Sequence, residues 1–221
     1  AGIVAGCITS TGLASKLLRA IVSASGGVMI VALLLTMVCC IVLGMGVPTT
    51  ATYCIMAATC APILMSPEIG VEMLAAHFFV FYFGIVADIT PPVALAAYAG
   101  AAIAKAGPMK TAFNASRLAI AAFIVPYIIA MNPAMLFINT TIPEVVMITI
   151  TSIIGIFGVA AGLSGFVFRD MKWWERILCI VGGLTLLVPG SLTDLIGLVL
   201  VGAVCVLGYQ AAKKEKEMLT A

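Results

Sequence analysis

The chain has 221 residues, 63% of them hydrophobic and 9% charged, with a formal net charge of +2 and a mean hydropathy of +1.25. A soluble domain carries about 25% charge, so this composition leaves too little polar surface for a soluble fold. A net charge of +2 also gives no electrostatic footprint for nucleic acid, and the long apolar runs read as an all-α protein in a lipid bilayer.

Residues 1–11 read as the tail of a helix already under way. They contain no initiator Met and no charged leader, so the chain is read as the C-terminal part of a longer membrane protein and not as one opening on a signal peptide. Lys16 and Arg19 follow in a short amphipathic stretch. Residues 28–43 form an apolar arm that Gly44 and Gly46 can end in left-handed conformation. Pro48 can open the next arm at its first helical position, where its missing N–H costs little. That second arm runs over residues 49–65. Both arms fall short of the ~20 residues a full span needs. Residues 27–65 therefore read as a re-entrant hairpin with its tip at Gly44-Met45-Gly46-Val47-Pro48-Thr49-Thr50; two ordinary spans joined by a tight turn are the competing arrangement.

A polar loop over residues 66–72 leads into a long apolar stretch, residues 73–104, with Asp88 and Thr90-Pro91-Pro92 at its middle. As one helix it would be ~48 Å long against a hydrocarbon core of ~30 Å, so unwinding in the middle is expected. Thr90 before Pro91 reads as an N-cap from which a second half-helix starts. Residues 105–117 read as a basic loop around Gly107-Pro108, followed by a helix over residues 115–131. Further apolar segments lie at residues 145–168, 177–188 and 192–209; Pro189-Gly190-Ser191 turns the last pair, and a charged, solvated tail follows at Lys213-Lys214-Glu215-Lys216-Glu217. With Lys105, Lys110 and Arg117 in the cytoplasm, the alternation of crossings brings Arg169, Lys172 and Arg176, then Lys213, Lys214 and Lys216, to the same side. Lys16 and Arg19 alone fall outside. Trp173-Trp174 sit beside the middle cluster, as aromatic residues at a headgroup boundary do.

The two breaks are where chemistry is expected. Broken backbone in lipid leaves N–H and C=O groups without partners unless protein packs round them or they line a polar cavity. Thr49, Thr50, Thr52 and Thr90 put hydroxyls at the breaks. With the unwound carbonyls around Gly44, Gly46, Pro48 and Pro91 they would make a neutral oxygen cage for sodium, while half-helix N-termini would favour an anionic substrate. Asp88 and Pro92 are assigned to the substrate path. Two structural alternatives stay open: the threonines bond back to their own helix carbonyls, and Asp88 caps a half-helix.

Other candidates carry less. Seven cysteines all lie in apolar runs and His77 is the only histidine, so neither a disulfide framework nor a metal site is expected. His77 reads as a packing residue four positions before Phe81. Gly162-Leu163-Ser164-Gly165 has the GxSG form of an intramembrane serine protease, but no histidine follows it. Helix packing through small residues is the expected role, and no enzymatic activity and no cofactor are assigned.

Three stretches carry a family resemblance: Leu43-Gly44-Met45-Gly46-Val47-Pro48-Thr49-Thr50-Ala51, then Ala76-His77-Phe78-Phe79-Val80-Phe81-Tyr82-Phe83-Gly84, then Ile89-Thr90-Pro91-Pro92-Val93-Ala94-Leu95-Ala96-Ala97-Tyr98. With Pro108-Met109-Lys110-Thr111 and Asn132-Pro133-Ala134, they resemble the large membrane subunit of tripartite ATP-independent periplasmic (TRAP) transporters. The pattern is most similar to fused permeases, whose extra C-terminal helices residues 143–221 resemble. The resemblance implies one of two inverted repeats, each a re-entrant hairpin plus a discontinuous helix. Residues 1–137 would then be part of the transport domain of a multi-pass protein in a bacterial or archaeal inner membrane. It also implies an elevator coupled to sodium and a substrate that is a small organic anion, commonly a carboxylate. The partners it implies are a periplasmic substrate-binding protein, for the fused type often of the TAXI class, and the N-terminal half of the permease. The family's second sodium site would map onto the two breaks. A channel or non-transporting scaffold, in which the breaks only pack, is the rival reading.

Overall fold

A computed structural model describes residues 2–220; the side chains of residues 4, 5, 8, 9, 191, 214–216 and 218–220 lie outside the described set. The tail residues Lys214, Glu215 and Lys216 are among these. The chain is helical and forms two compact units, residues 1–136 and 137–221.

The first unit contains helices α1 (Gly2–Ser10), α2 (Leu13–Ser25), α3 (Met29–Gly44), α4 (Thr49–Thr59), α5 (Ala61–Leu64), α6 (Met73–Val86), α7 (Leu95–Ile103), α8 (Pro108–Leu118) and α9 (Ile120–Met131). Glycines in the left-handed region set two of the corners: Gly12 (φ 65°) between α1 and α2, and Gly26 and Gly27 (φ 57° and 78°) between α2 and α3. The element at the centre is α6, which packs against α3, α4, α5 and α9. Glu72 fixes its start: Oε2 accepts the backbone N–H groups of Leu74 (2.7 Å) and Ala75 (3.2 Å), two donors the first turn leaves without helical partners. Phe79 and Phe83, one turn apart on α6 and fully buried, stack on Tyr127 of α9 at 5.3 and 5.8 Å between ring centroids. The Tyr127 hydroxyl reaches Met37 Sδ of α3 at 3.1 Å, so one aromatic cluster ties three helices together.

With 16 residues α3 is ~24 Å long, and α4 with α5 covers the same span of sequence. Neither arm reaches across a ~30 Å hydrocarbon core, the arrangement expected of a hairpin that enters and returns. The stretch read as a basic loop is corrected: Gly107 and Pro108 open a helix there, α8, with Pro108 at its first position. The expected helix over residues 115–131 is accordingly two helices, α8 and α9, bent by 42° at Ala119. Amphipathic character made α8 look like a loop; its small apolar face packs Ala112 and Ala115 against Ala94, Ala97 and Tyr98 around α7.

The second unit is a three-helix assembly of α10 (Ile142–Ser164), α11 (Trp173–Thr185) and α12 (Ser191–Thr220). By length and composition, α10 and residues 192–213 of α12 can each cross a membrane, and α8 with α9 makes a third span if the bent pair is one. At 13 residues α11 is ~20 Å long. It is too short to be the crossing expected at residues 177–188, so the alternation behind the orientation is not met by length. The helix packs tightly against α10 and α12. A Cβ on Gly155, Gly158 or Gly162 of α10 would lie within 3 Å of α11 or α12: 2.9 Å from Gly183 O, 2.9 Å from Val201 Cγ2 and 2.5 Å from Ile180 Cγ1 respectively. The GxSG segment belongs to this contact. Ser164 Oγ donates to Ala160 O at 2.6 Å, within its own helix. Arg176 donates to Gly162 O (2.9 Å) and Leu163 O (3.0 Å), capping the carbonyls at the end of α10. Glu175, buried, is paired with Arg169 at 2.5 Å and accepts the Lys172 N–H at 2.8 Å. These bonds compensate a charge that would be costly alone.

Substitution at a close backbone approach tests this packing. A Cβ at Gly183 would meet Gly155 O at 2.6 Å and Val159 N at 2.7 Å, backbone atoms that cannot step aside. Gly183→Ala is expected to destabilise the protein by about 1–3 kcal/mol, read as a lower Tm in detergent. Gly202→Ala, with nothing within 4 Å, is expected to leave Tm unchanged or raise it.

Candidate functional site at the two helix breaks

The hairpin tip occupies residues 45–48, between α3 and α4. Gly46 takes the left-handed conformation, with φ 73°. Gly44 does not: it is the last residue of α3, followed by an extended Met45, and its lack of a side chain serves packing. A Cβ there would lie 3.0 Å from Ala87 Cβ and 3.2 Å from both Thr52 Cγ2 and Met56 Cε. Across the site, a Cβ on Gly84 of α6 would lie 3.0 Å from Thr52 Cγ2 and 3.2 Å from Met56 Sδ. Thr52 and Met56, one turn apart on α4, are thus seated between two glycines. This close approach brings the first break, at Gly44, against the second, at Ala87.

Thr52 ties the tip together. Its Oγ1 donates to Val47 O at 3.1 Å and its N–H donates to Pro48 O at 2.9 Å. Pro48 stands at the N-cap of α4 and not at its first helical position. Thr49 and Thr50, in the first turn of α4, are exposed, as are Gly46 and Pro48. Thr52 was recognised by its hydroxyl, but the tight packing that makes it the keystone of the tip has no signature in a sequence.

At the second break α6 ends at Val86 and passes through a 3₁₀ turn, Ala87–Ile89. The expected start of a half-helix at Thr90 is corrected: the chain turns through the cis Pro91-Pro92 bond and α7 begins at Leu95, behind a left-handed Ala94 (φ 34°). The reason lies in the paired prolines, since a residue preceding proline is pushed out of the α region, and this applies to Thr90 and Pro91 alike. Thr90 is extended, and its Oγ1 donates to Val86 O at 2.7 Å, so it closes the end of α6 and does not cap α7. Asp88 is half-buried and does not cap α7 either. Pro91 is half-buried beside it, and Pro92 is exposed.

Two further hydroxyls reach this break. Ser116 Oγ of α8 donates to Ile89 O at 3.0 Å, and the Tyr98 hydroxyl donates to Pro92 O while lying 3.5 Å from Met109 Sδ. Ser116 lay hidden in the stretch read as a loop; the Gly107-Pro108 helix start was the signal that could have found it. Thr49 and Thr50 share no hydrogen bond with Thr90, so the structure brings the breaks together through Gly44 and Ala87 and not through these threonines. His77 is a packing residue: its Nδ1 lies 3.1 Å from Tyr53 Oη, and the two rings meet edge to face. Among the described residues, no group of three or more His, Cys, Asp or Glu side chains is placed to hold a metal ion. The donors at the breaks are carbonyls and hydroxyls.

Residues 1–145 match the family model described as Tripartite ATP-independent periplasmic transporter, DctM component. The chain belongs to this family. Both breaks of the TRAP large component, with the hydroxyls of Thr52, Thr90, Tyr98 and Ser116, fall inside the matched region. Residues 145–201 match a model described as Domain of unknown function (DUF3394), which covers α11 and most of α10. No curated protein and no solved structure matches the chain. The family is one of secondary transporters, not of enzymes.

If the tip depends on Thr52, Thr52→Val keeps the shape of the side chain but leaves Val47 O without its donor. The expected cost is about 1–3 kcal/mol, read as a lower Tm in detergent. Thr50→Val, at an exposed position, is expected to leave Tm unchanged.

Proposed function

We propose that this TRAP chain carries one cation site of a sodium-coupled importer of small organic anions, carboxylates above all, working by an elevator movement in the inner membrane. The observation that carries this reading is the contact of the two breaks at Gly44 and Ala87, where a Cβ would meet Ala87 Cβ at 3.0 Å. It sets the last residue of α3, where the tip begins, against the 3₁₀ turn that opens the second break, and in transporters the unwound backbone at such breaks coordinates cations. The proposed donors are the carbonyls and hydroxyls of Gly44, Gly46, Pro48, Thr49, Thr50, Thr90 and Pro91, with Asp88 and Pro92 in the substrate path. Hard alkali cations take oxygen ligands, which suits a region holding neutral oxygen donors.

The name of the family, a tripartite periplasmic transporter, supports a division of labour in which a periplasmic binding protein delivers the substrate. For a fused permease carrying the extra helices of unit two, that protein would be of the TAXI class. The N-terminal half of the permease would supply the other inverted repeat.

The rival is a scaffold or channel in which the breaks only pack. Thr90 Oγ1 already donates to Val86 O at 2.7 Å. Uptake separates the two. The permease, with its binding protein, is reconstituted in liposomes and supplied with candidate dicarboxylates and amino acids, with and without an inward sodium gradient. Uptake is expected to require sodium, and Thr90→Ala is expected to raise the sodium concentration for half-maximal rate about tenfold, the loss of one ligand interaction. Uptake without sodium, or an unchanged sodium dependence in Thr90→Ala, would return Thr90 to a purely structural role.

A further inference from the structure

Lys16 and Arg19 are the only charged residues among residues 1–67; the first acidic residue is Glu68. Both are exposed on α2, three residues apart and so neighbours on one helix surface. The opposite side of α2 packs Leu17, Leu18, Ile21 and Val22 into the core of the unit. Arg19 borders a cleft of about 490 Å³ between α2 and the α4–α5 arm, lined by Ala14, Ser15, Leu18, Arg19, Thr59 and Pro62. Two of the polar groups that line it are engaged within their own helices. Thr59 Oγ1 donates to Ile55 O at 2.8 Å. The Arg19 Nε donates to Ser15 O at 3.3 Å, which lays the guanidinium along α2. No ion pair among the described residues involves Arg19, and its Nη groups make no hydrogen bond there.

We propose that this cleft is a seat for an anionic phospholipid, its phosphate on Arg19 and its glycerol and first acyl carbons against Ala14, Leu18 and Pro62. Two features point to a lipid and not a free anion. The walls other than Arg19 are chiefly apolar, and a bare phosphate would leave them uncovered. Lys16 and Arg19 have no acidic residue among residues 1–67, and basic residues near a membrane surface attract anionic headgroups. The cleft also lies at the far end of the α4–α5 arm from the breaks, ten residues or ~15 Å of helix beyond Thr49, so it is separate from the proposed cation site. The inference rests on membership of a membrane transporter family and not on sodium coupling.

Native mass spectrometry of the purified, delipidated protein tests it, with phosphatidylglycerol, phosphatidylcholine and inorganic phosphate as separate probes. The first phosphatidylglycerol is expected to bind more tightly than phosphatidylcholine. Arg19→Gln is expected to weaken it about fivefold, the effect of one basic residue at a lipid headgroup, while Arg19→Lys retains most of the affinity. Lys172→Gln, in the other unit, should change nothing. Equal binding of the two lipids, or an unaltered Arg19→Gln protein, would overturn the proposal. Displacement of phosphatidylglycerol by millimolar inorganic phosphate would overturn it in favour of a bare anion site.

Discussion

A helix that stops inside a membrane frees carbonyl and amide groups where no water can take them, and the first unit is organised around meeting that demand. At each break the freed carbonyls find hydroxyl donors on nearby side chains. Thr52 serves Val47, Thr90 serves Val86, Ser116 serves Ile89 and Tyr98 serves Pro92. Two of these donors are local and two come from further off, from α7 and from α8. The broken segment is thus held from both sides of the chain, which gives α8 a structural purpose that its short, polar sequence conceals.

Holding the breaks also requires that helices come close, and here glycine acts through absent volume more than through backbone freedom. Gly44 and Gly84 clear the space that Thr52 and Met56 fill. In the second unit the same device is used at larger scale, where Gly155, Gly158 and Gly162 face α11 and α12, and Gly182 faces Gly197. Close backbone approach replaces the hydrophobic drive that lipid cannot provide between helices. In both units a polar residue then locks the contact: Thr52 bonds across the tip in one, and Arg176 caps the end of α10 in the other.

Much of this was legible in the chain itself because Gly and Pro punctuate an otherwise uniform apolar text. The tip at residues 44–50 and the break after Asp88 could be located from that punctuation and from segment length against bilayer thickness. What stayed hidden depends on which residues meet. Gly44 reads the same whether it supplies a left-handed turn or a gap for Ala87. Thr90 before proline reads as an N-cap, and only the second proline, by restricting Pro91 as well, delays the helix to Leu95. The α8 helix was missed because hydropathy weighs Lys110 and Arg117 heavily, whereas Pro108 at the first position was the better guide. The pairing of Glu175 with Arg169 joins residues six apart through a turn, and no periodicity announces it.

The back-bonded threonine bears on how a cation site could be built from such parts. A hydroxyl has one proton to donate and two lone pairs to offer. Once Thr90 Oγ1 gives its proton to Val86 O, its remaining face can only accept. The bond also fixes where those lone pairs lie, since rotation about the side chain would forfeit it. A donor engaged in this way is a better cation ligand than a free one, because no hydrogen has to turn aside and little rotamer freedom is lost on binding. Structural bonding and ion binding are therefore not exclusive roles for Thr90. The physical distinction between them rests on Thr→Ser, which keeps both the proton and the lone pairs, against Thr→Val, which removes both while keeping the shape. A site of this kind should tolerate the first change and lose its ion dependence with the second. A break that only packs should be sensitive to the missing methyl in the first and to the missing hydrogen bond in the second, with the ion irrelevant to either.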